Sequence, residues 1–235
     1  MPETPNLQAA EAAPRFLIAD QVQKSLLAAI VTLELPPGTR ISEAEIAARM
    51  EVSRQPVRDA FFRLSQQGFL VIQPQRATKV SLIDPQAVMQ ARFIRAAIEA
   101  EIARIACTRL DDGDLSALED ILDAQRSAAG AGQDLQFMEL DEAFHRELCL
   151  RSGHEHAWAA IQENKPHMDR VRFLSLSFGA PEVLAGHVAV MAAIKARDTT
   201  RAMAEMRAHL SRIKTDIHRI RAGHPRYFVA ESGAQ

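Results

Sequence analysis

A carboxylate and an imidazole lie four residues apart at Asp141 and His145, inside an apolar segment of the chain. On an α-helix this spacing places both side chains on one face, and burying them without polar partners is costly. His187 and His209 also fall on apolar helical faces. Three imidazoles and one carboxylate suit zinc, nickel or another divalent transition metal ion. These four residues are therefore candidate ligands of a metal ion.

The competing interpretation is that each of these histidines is a hydrogen-bonded core residue. A single buried histidine has that role more often than it binds a metal ion. The Asp141/His145 pair together with two further inward histidines favours the metal hypothesis, but spacing alone leaves both interpretations open. The remaining histidines lack an inward cluster and are interpreted as surface or capping residues: His154, His156, His167, His218 and His224.

The helices that must carry these ligands fill the second part of the chain. Asp84 can cap a helix and Pro85 can occupy its first turn, and apolar residues recur at helical spacing from there to about Gly223. Because the breaks between the segments are short, an all-α antiparallel bundle is predicted. The predicted helices are 85–109, 112–129, 133–152, 155–177, 181–196 and 199–222.

Polar and basic side chains crowd the start of a predicted helix in the first part of the chain. Ser53 is a suitable N-cap, and Arg54, Gln55 and Arg58 follow in the first turns. The positive end of the helix dipole favours phosphate, and arginine can pair with guanine through two hydrogen bonds. The residues predicted to contact DNA are Ser53, Arg54, Gln55, Arg58, Arg63, Arg76 and Thr78.

The elements around this helix predict a winged helix-turn-helix. A short helix from residue 42 to about 50 and a tight turn precede the helix at 52–67. The second helix of such a unit enters the major groove. Two β-like segments, 69–73 and 78–82, then form a hairpin wing. The predicted fold is therefore mainly α, with a small β-hairpin in the first domain.

The first domain resembles the winged-helix domain of GntR-type transcriptional regulators over about residues 16–82. The segments that carry the likeness are Leu35–Glu43, Val52–Arg58 and Gly68–Leu70. The family usually has a glycine at the tip of the wing, where this chain has Gln75, Arg76 and Ala77. The resemblance implies binding to a short palindromic operator by a homodimer.

The second domain is similar to the FCD effector domain found in the FadR branch of the same family, over about residues 85–220. The segment Asp141–Leu148 matches its DxxFHxxL motif, and His187 and His209 match the later histidines of its metal-binding members. Such members use one aspartate and three histidines as ligands beside a small-molecule cavity. The resemblance therefore implies a metal site and a small organic acid effector.

Two arginines are the predicted partners of the effector's carboxylate. Arg95 flanks an apolar stripe and has Glu99 four residues later, so an exposed i,i+4 ion pair is an equal alternative. Arg172 falls on the inner side of its helix by helical phase, whereas Arg170 is predicted to face solvent. An arginine is well suited to a carboxylate because its planar fork forms two parallel hydrogen bonds.

Composition limits the class of protein. The 235 residues carry a net charge of −2, which excludes a strongly basic protein that coats nucleic acid. Residues 36–80 hold seven basic and four acidic side chains, so 7 − 4 = +3, which suits a small specific DNA footprint. The first residues lack the pattern of a signal peptide, and no stretch approaches the roughly 20 apolar residues of a membrane span. A cytoplasmic protein without membrane contact is expected.

These observations predict a ligand-responsive transcriptional repressor. The predicted division is a disordered arm at 1–14, a DNA-binding domain at 15–83, an FCD-type domain at 84–223 and a tail at 224–235. One alternative is a regulator that senses the metal itself. Another is a metal-dependent enzyme acting on organic acids, but no general base, nucleophile or second catalytic motif accompanies the metal ligands.

Overall fold

The structure is a computed structural model that describes residues 15–73 and 77–230, apart from the side chains of Arg15, Phe16 and Ser177. The predicted N-terminal arm, the wing tip at 74–76 and the last five residues lie outside the described residues. The chain forms two compact units, Met1–Ser81 and Leu82–Gln235. Most of the described residues are helical, which confirms the predicted mainly-α class.

The first unit is a winged helix-turn-helix. Its helices are α1 (Arg15–Val31), α2 (Glu43–Arg49) and α3 (Arg54–Gln66), and its strands are β1 (Arg40–Ile41), β2 (Leu70–Val71) and β3 (Thr78–Val80). The strands form an antiparallel sheet in the order β1-β3-β2, with Arg40 opposite Lys79 and Leu70 opposite Val80. The predicted hairpin is therefore extended by β1, whose two residues are too few for an alternating pattern to show in the sequence.

The junction of α2 and α3 has the geometry that a helix-turn-helix requires. The Ser42 hydroxyl accepts a hydrogen bond from the Glu45 amide at 3.1 Å and caps α2. Glu51 adopts a left-handed conformation with φ +55° in the turn. Ser53 is the N-cap residue of α3, but its hydroxyl makes no capping hydrogen bond. The Ser53 side chain is exposed instead.

The second unit is a bundle of helices. In chain order they are α4 (Pro85–Arg109), α5 (Asp112–Gly130), α6 (Asp134–Arg151), α7 (Glu155–Asn164), α8 (Pro166–Lys195), α9 (Thr199–Ser211) and α10 (Ile213–Gly223). Helix α4 packs against α6, α7, α8 and α9. The core of the unit includes Val88, Leu118, Phe144, Leu148, Ile161, Val190, Ile194 and Met206, all almost fully buried.

Three predicted helices are divided or joined differently in the structure. The predicted helix 155–177 is divided before Pro166, which occupies the first turn of α8. The predicted break at Pro181 is absent, because α8 continues through this proline. Pro181 removes one backbone hydrogen bond, but Val171 and Ile194 on either side of it are buried in one core. The predicted helix 199–222 is likewise divided, at Arg212.

The residues after α10 fold back onto the start of this unit. A short 3-10 helix spans Pro225–Tyr227, and Phe228 is buried. The amide of Ile83 donates to the Tyr227 carbonyl at 2.7 Å, and the amide of Val229 donates to the Ile83 carbonyl at 3.0 Å. This part of the predicted tail is therefore ordered by packing on the bundle.

Within the described residues, one segment is long and apolar enough to cross a membrane by length and composition alone. It is Phe178–Lys195 in α8, with a mean hydropathy of 1.2 over 18 residues, so the expectation that no stretch approaches such a span was wrong on this measure. In the bundle, its residues Val190, Met191 and Ile194 are core residues and its His187 is fully buried.

Candidate metal centre and ligand cavity

Four potential metal ligands converge inside the helical unit. Asp141 and His145 come from α6, His187 from α8 and His209 from α9, and one ligand atom from each lies within 4.8 Å of the others. The Nε2 atom of His145 is 3.3 Å from Nε2 of His187 and 3.3 Å from Nε2 of His209. The structure thus brings together all four residues that the sequence singles out.

The outer nitrogens of two imidazoles each lie against an oxygen atom of a neighbouring side chain. Nδ1 of His145 lies 2.5 Å from a carboxylate oxygen of Glu99, and Nδ1 of His187 lies 2.8 Å from the amide oxygen of Gln125. The Gln125 oxygen only accepts hydrogen bonds, so Nδ1 of His187 carries the proton and its Nε2 presents a lone pair to the cluster. The His145–Glu99 contact lies outside hydrogen-bond geometry, but the negative charge 2.5 Å away favours the proton on Nδ1 of His145 as well. Lone pairs that face each other repel, and a cation between them removes the repulsion.

Asp141 adds a negative charge at the same point. Its Oδ1 atom is buried, lies 3.5 Å from Nε2 of His187 and has no hydrogen-bond partner among the described residues. A buried carboxylate oxygen without a donor is costly. Together with the facing lone pairs, this oxygen shows that the residues present fit a bound metal cation.

The charges of the cluster favour the ligand forms of its side chains. Burial by itself raises the pKa of Asp141, but the Arg172 guanidinium and the nearby imidazoles outweigh burial and hold that pKa well below its usual range. Burial lowers the pKa of His187 to about 3 and that of His209 well below its ordinary value. At neutral pH the cluster therefore offers the Asp141 carboxylate and the neutral imidazoles of His187 and His209, which are the forms that bind metal.

Two residues shape the space in which the imidazoles meet. The ring of Phe144 stacks on that of His187, with centroids 4.4 Å apart. Gly186 lies under His209, and a Cβ atom at this position would be 2.6 Å from Nδ1 of the imidazole. The absence of a side chain at Gly186 is therefore what allows His209 to reach the cluster.

Replacing Gly186 with alanine is expected to weaken Zn²⁺ binding by about tenfold or more, because the added methyl group displaces the His209 ring by about 1 Å from its position. Competition with a chromophoric chelator measures the change. The matched control is Gly130→Ala in α5, where an added Cβ meets nothing within 4 Å. Equal affinities for the wild type and the Gly186→Ala variant would show that His209 is not held by this contact.

A cavity opens beside the ligand cluster, and Asp141 and His209 are part of its wall. Three arginines also line it: Arg95, Arg172 and Arg212. The other lining residues are mostly apolar and include Phe137, Met138, Met168, Leu176, Val183, Leu210 and Ile213. A concave apolar site with a few converging polar groups is the usual form of a small-molecule site.

The two predicted effector residues are both in this cavity. Arg95 is 1% exposed and its Nε atom donates to Glu99 at 2.6 Å, so the alternative of an exposed ion pair was wrong. Arg172 donates to Asp141 and, at 2.9 Å, to Asp169. The Arg172 guanidinium therefore connects the cavity wall directly to a ligand of the candidate metal centre.

Several residues of the site were not identified from the sequence. Glu99 and Gln125 hold the imidazoles, and Arg212 lines the cavity. Arg170 was predicted to face solvent but is 1% exposed. A sequence signal existed for Gln125, which follows Leu118 and Leu122 at helical spacing and thus interrupts an inward apolar stripe.

The residues predicted to read DNA share the outer face of α3. Ser53, Arg54, Gln55 and Arg58 are all exposed. The Arg58 side chain is 63% exposed, and its Nε atom donates to a Glu43 carboxylate at 3.2 Å. This weak surface pair leaves Arg58 available, because exposed ion pairs contribute little free energy.

The other predicted DNA contacts have different surroundings. Arg63 turns towards α1, where it pairs with Asp20 and donates to Gln23 at 3.4 Å. Thr78 begins β3 and is half-buried. Arg76 lies outside the described residues.

Comparison with known proteins matches each of the two units to a protein family. Residues 18–80 match the family model described as bacterial regulatory proteins, gntR family, and residues 90–212 match that of the FCD domain. The HTH-type transcriptional repressor RspR of Escherichia coli (strain K12) is 35% identical over 220 residues, which cover 93% of this chain and 96% of that protein. An HTH-type transcriptional regulator in an unstable DNA locus of Streptomyces ambofaciens is 38% identical over 208 residues, 86% of each chain.

Solved structures share the fold. E. coli McbR/YncC has a TM-score of 0.71 at 21% identity and covers 88% of this chain and 98% of its own. A GntR regulator from Rhodococcus sp. RHA1 has a TM-score of 0.69 at 20% identity, with 85% and 97% covered. At these identities the likeness shows the fold alone.

Proposed function

The chain belongs to the GntR family of bacterial transcriptional regulators, in the branch with an FCD domain, and from this premise we propose that it is a repressor whose DNA binding is controlled by a metal ion and a small organic acid. The families and relatives are transcriptional regulators and not enzymes, so the metal-dependent enzyme is not retained. RspR is itself described as a repressor, which supports that direction of regulation here.

The proposed metal is zinc or nickel, held by Asp141, His145, His187 and His209. Nitrogen ligands with one carboxylate are suited to these ions. When bound, the ion supplies a Lewis-acidic position that accepts a carboxylate oxygen. The chain's own contribution is a set of imidazoles, of which those of His187 and His145 are positioned by Gln125 and Glu99 before the ion arrives.

The proposed effector is a small organic acid that occupies the cavity. The observation that carries this proposal is that Asp141 and His209 belong both to the ligand cluster and to the cavity wall. An acid in the cavity can therefore meet the metal and the Arg95 and Arg172 guanidinium groups at once. Apolar walls around these groups exclude water and strengthen the attraction.

The proposed action on DNA follows from the exposed face of α3. A homodimer would place two such helices in the major groove of a short palindromic operator. The residues that would contact bases or phosphates there are Ser53, Arg54, Gln55 and Arg58. The DNA backbone would be bound by Arg63 of α3 and by Arg76 and Thr78 of the wing. The acid shifts the equilibrium between the DNA-binding and the DNA-releasing conformation only to the extent that its affinities for these two conformations differ.

Replacing Arg58 with alanine is expected to weaken operator binding by about 1–3 kcal/mol if Arg58 contacts a base. The duplex that the wild type selects from a random library provides the probe, and anisotropy at fixed salt measures affinity. Arg126→Ala, which removes an exposed arginine of α5, is the control for net charge. An unchanged affinity for the Arg58 variant would remove this residue from the DNA contacts.

The experiment that tests the function titrates the metal-loaded protein on that duplex with a panel of small carboxylic acids. Release of DNA by one acid from the metal-loaded protein, and not from the metal-free protein, is expected. Release by metal alone would favour the regulator that senses the metal itself. If no acid changes DNA binding, the proposed control by an organic acid is contradicted.

A further inference from the structure

Two buried polar residues in the helical unit have no place among the ligands or in the cavity wall. Glu99 on α4 is 2% exposed, and Gln125 on α5 is fully buried. Each contacts the outer nitrogen of one imidazole of the cluster, Glu99 at His145 and Gln125 at His187. Both residues come from helices that supply no ligand.

A gain in folding stability does not explain why the Arg95–Glu99 ion pair is buried. A fully buried ion pair loses about as much free energy by desolvation as it gains by attraction, and apolar residues often replace such a pair without loss. One oxygen of Glu99 accepts from Arg95 at 2.6 Å, while the other faces Nδ1 of His145 at 2.5 Å. Arg95 thereby fixes the direction in which the second oxygen points.

Gln125 lies in an unfavourable position for an amide. Its Oε1 accepts from His187, but its buried Nε2 has no hydrogen-bond partner among the described residues. A buried donor without a partner lowers the stability of the fold. The hydrogen bond to His187 is the one that Gln125 makes within the described part of the chain, so it has to account for the presence of this amide on an apolar face.

We propose that Glu99 and Gln125 are the positioning residues of the metal centre, which fix the Nδ1–H tautomers of His145 and His187 and aim their Nε2 atoms at the ion. This inference rests on the proposed metal site. The two residues differ in charge: Glu99 places a carboxylate beside Nδ1 of His145, and Gln125 gives His187 a neutral hydrogen-bond acceptor. Among the described residues, Nδ1 of His209 has neither a hydrogen-bond partner nor a carboxylate at ion-pair distance such as His145 has in Glu99, so His209 is the ligand without such support.

The test uses the full chain, stripped of metal, with two variants and one control. Glu99→Gln keeps the shape of the side chain and removes its charge, and Gln125→Leu removes the acceptor. Glu101→Gln, an exposed glutamate of the same helix that pairs with Arg104, is the matched control. Zn²⁺ affinity is measured by competition with a chromophoric chelator, and the visible spectrum of the Co²⁺-loaded protein reports ligand geometry.

Each variant is expected to bind Zn²⁺ about 10–100-fold more weakly than the wild type and to shift the Co²⁺ spectrum, while the control does neither. Gln125→Leu removes the unpartnered amide but also leaves Nδ1–H of the buried His187 without its acceptor. Because these two effects oppose each other, the metal-free variant is expected to melt close to the wild-type temperature. A merely structural role predicts the opposite, a lower melting temperature with unchanged metal affinity.

The inference is overturned if both variants bind Zn²⁺ within about twofold of the wild type and keep its Co²⁺ spectrum. That result leaves the metal site itself standing. If the wild type binds neither Zn²⁺ nor Co²⁺, the proposed metal site fails and the positioning role fails with it.

Discussion

Replacing Asp141 with asparagine is expected to lower the affinity for Zn²⁺ by about 100-fold or more. A zinc site with four protein ligands has a binding free energy of about 10–16 kcal/mol, so one ligand corresponds to about 3 kcal/mol, and each 1.4 kcal/mol is a factor of ten. The substitution keeps the side-chain shape but removes the negative charge beside three imidazoles. It also leaves Arg172 with Asp169 as its remaining acidic partner.

Chelator competition measures this change, and Glu139→Gln on the exposed face of the same helix is its control. The affinity of the control is expected to equal that of the wild type. Tight Zn²⁺ binding by the Asp141→Asn variant would mean that the ion is held elsewhere, and the four converging side chains would then be a hydrogen-bonded core.

Replacing Phe144 with alanine is expected to lower the free energy of unfolding of the helical unit by about 3–5 kcal/mol. Phe144 is fully buried and stacks on His187, so the change removes a large apolar side chain and leaves a cavity next to the ligand cluster. Trp158, the one tryptophan of the chain, is buried in this unit, and its fluorescence follows the unfolding of the unit in urea.

The control for this prediction is Phe93→Ala in α4. Phe93 is 70% exposed, so its removal is expected to change the free energy of unfolding by no more than about 0.5 kcal/mol. Similar effects of the two substitutions would contradict the placement of Phe144 in the core. Measurements on metal-free protein keep metal binding out of the comparison.

The elements of the fold were predictable wherever local chemistry marks their ends. Asp84 and Pro85 begin α4, and the structure has this helix at the predicted bounds, Pro85–Arg109. Prolines were less informative, because the sequence does not show which one starts a helix: Pro166 does, while α8 runs through Pro181. The division at Arg212 has no glycine or proline to mark it, and it became visible only in the structure.

The candidate site was predictable to the extent that its residues share a helix or a motif. Asp141 and His145 are four apart, and the pattern around them is found in the FCD domain. Glu99 and Gln125 come from other helices, and only three-dimensional packing brings them to the imidazoles. Arg170 was assigned to the surface because helical phase does not tell which faces the neighbouring helices cover.

Metal analysis combined with thermal melting tests the central claim, that a metal centre and an acid-binding cavity act together. The wild type and an Asp141→Ala/His209→Ala variant are purified in parallel, and both are melted with a panel of small carboxylic acids. The account predicts stoichiometric metal in the wild type, none in the variant, and one acid that raises the melting temperature of the wild type alone. No metal in the wild type and no responsive acid would contradict it, and the four converging residues would be polar groups of the core.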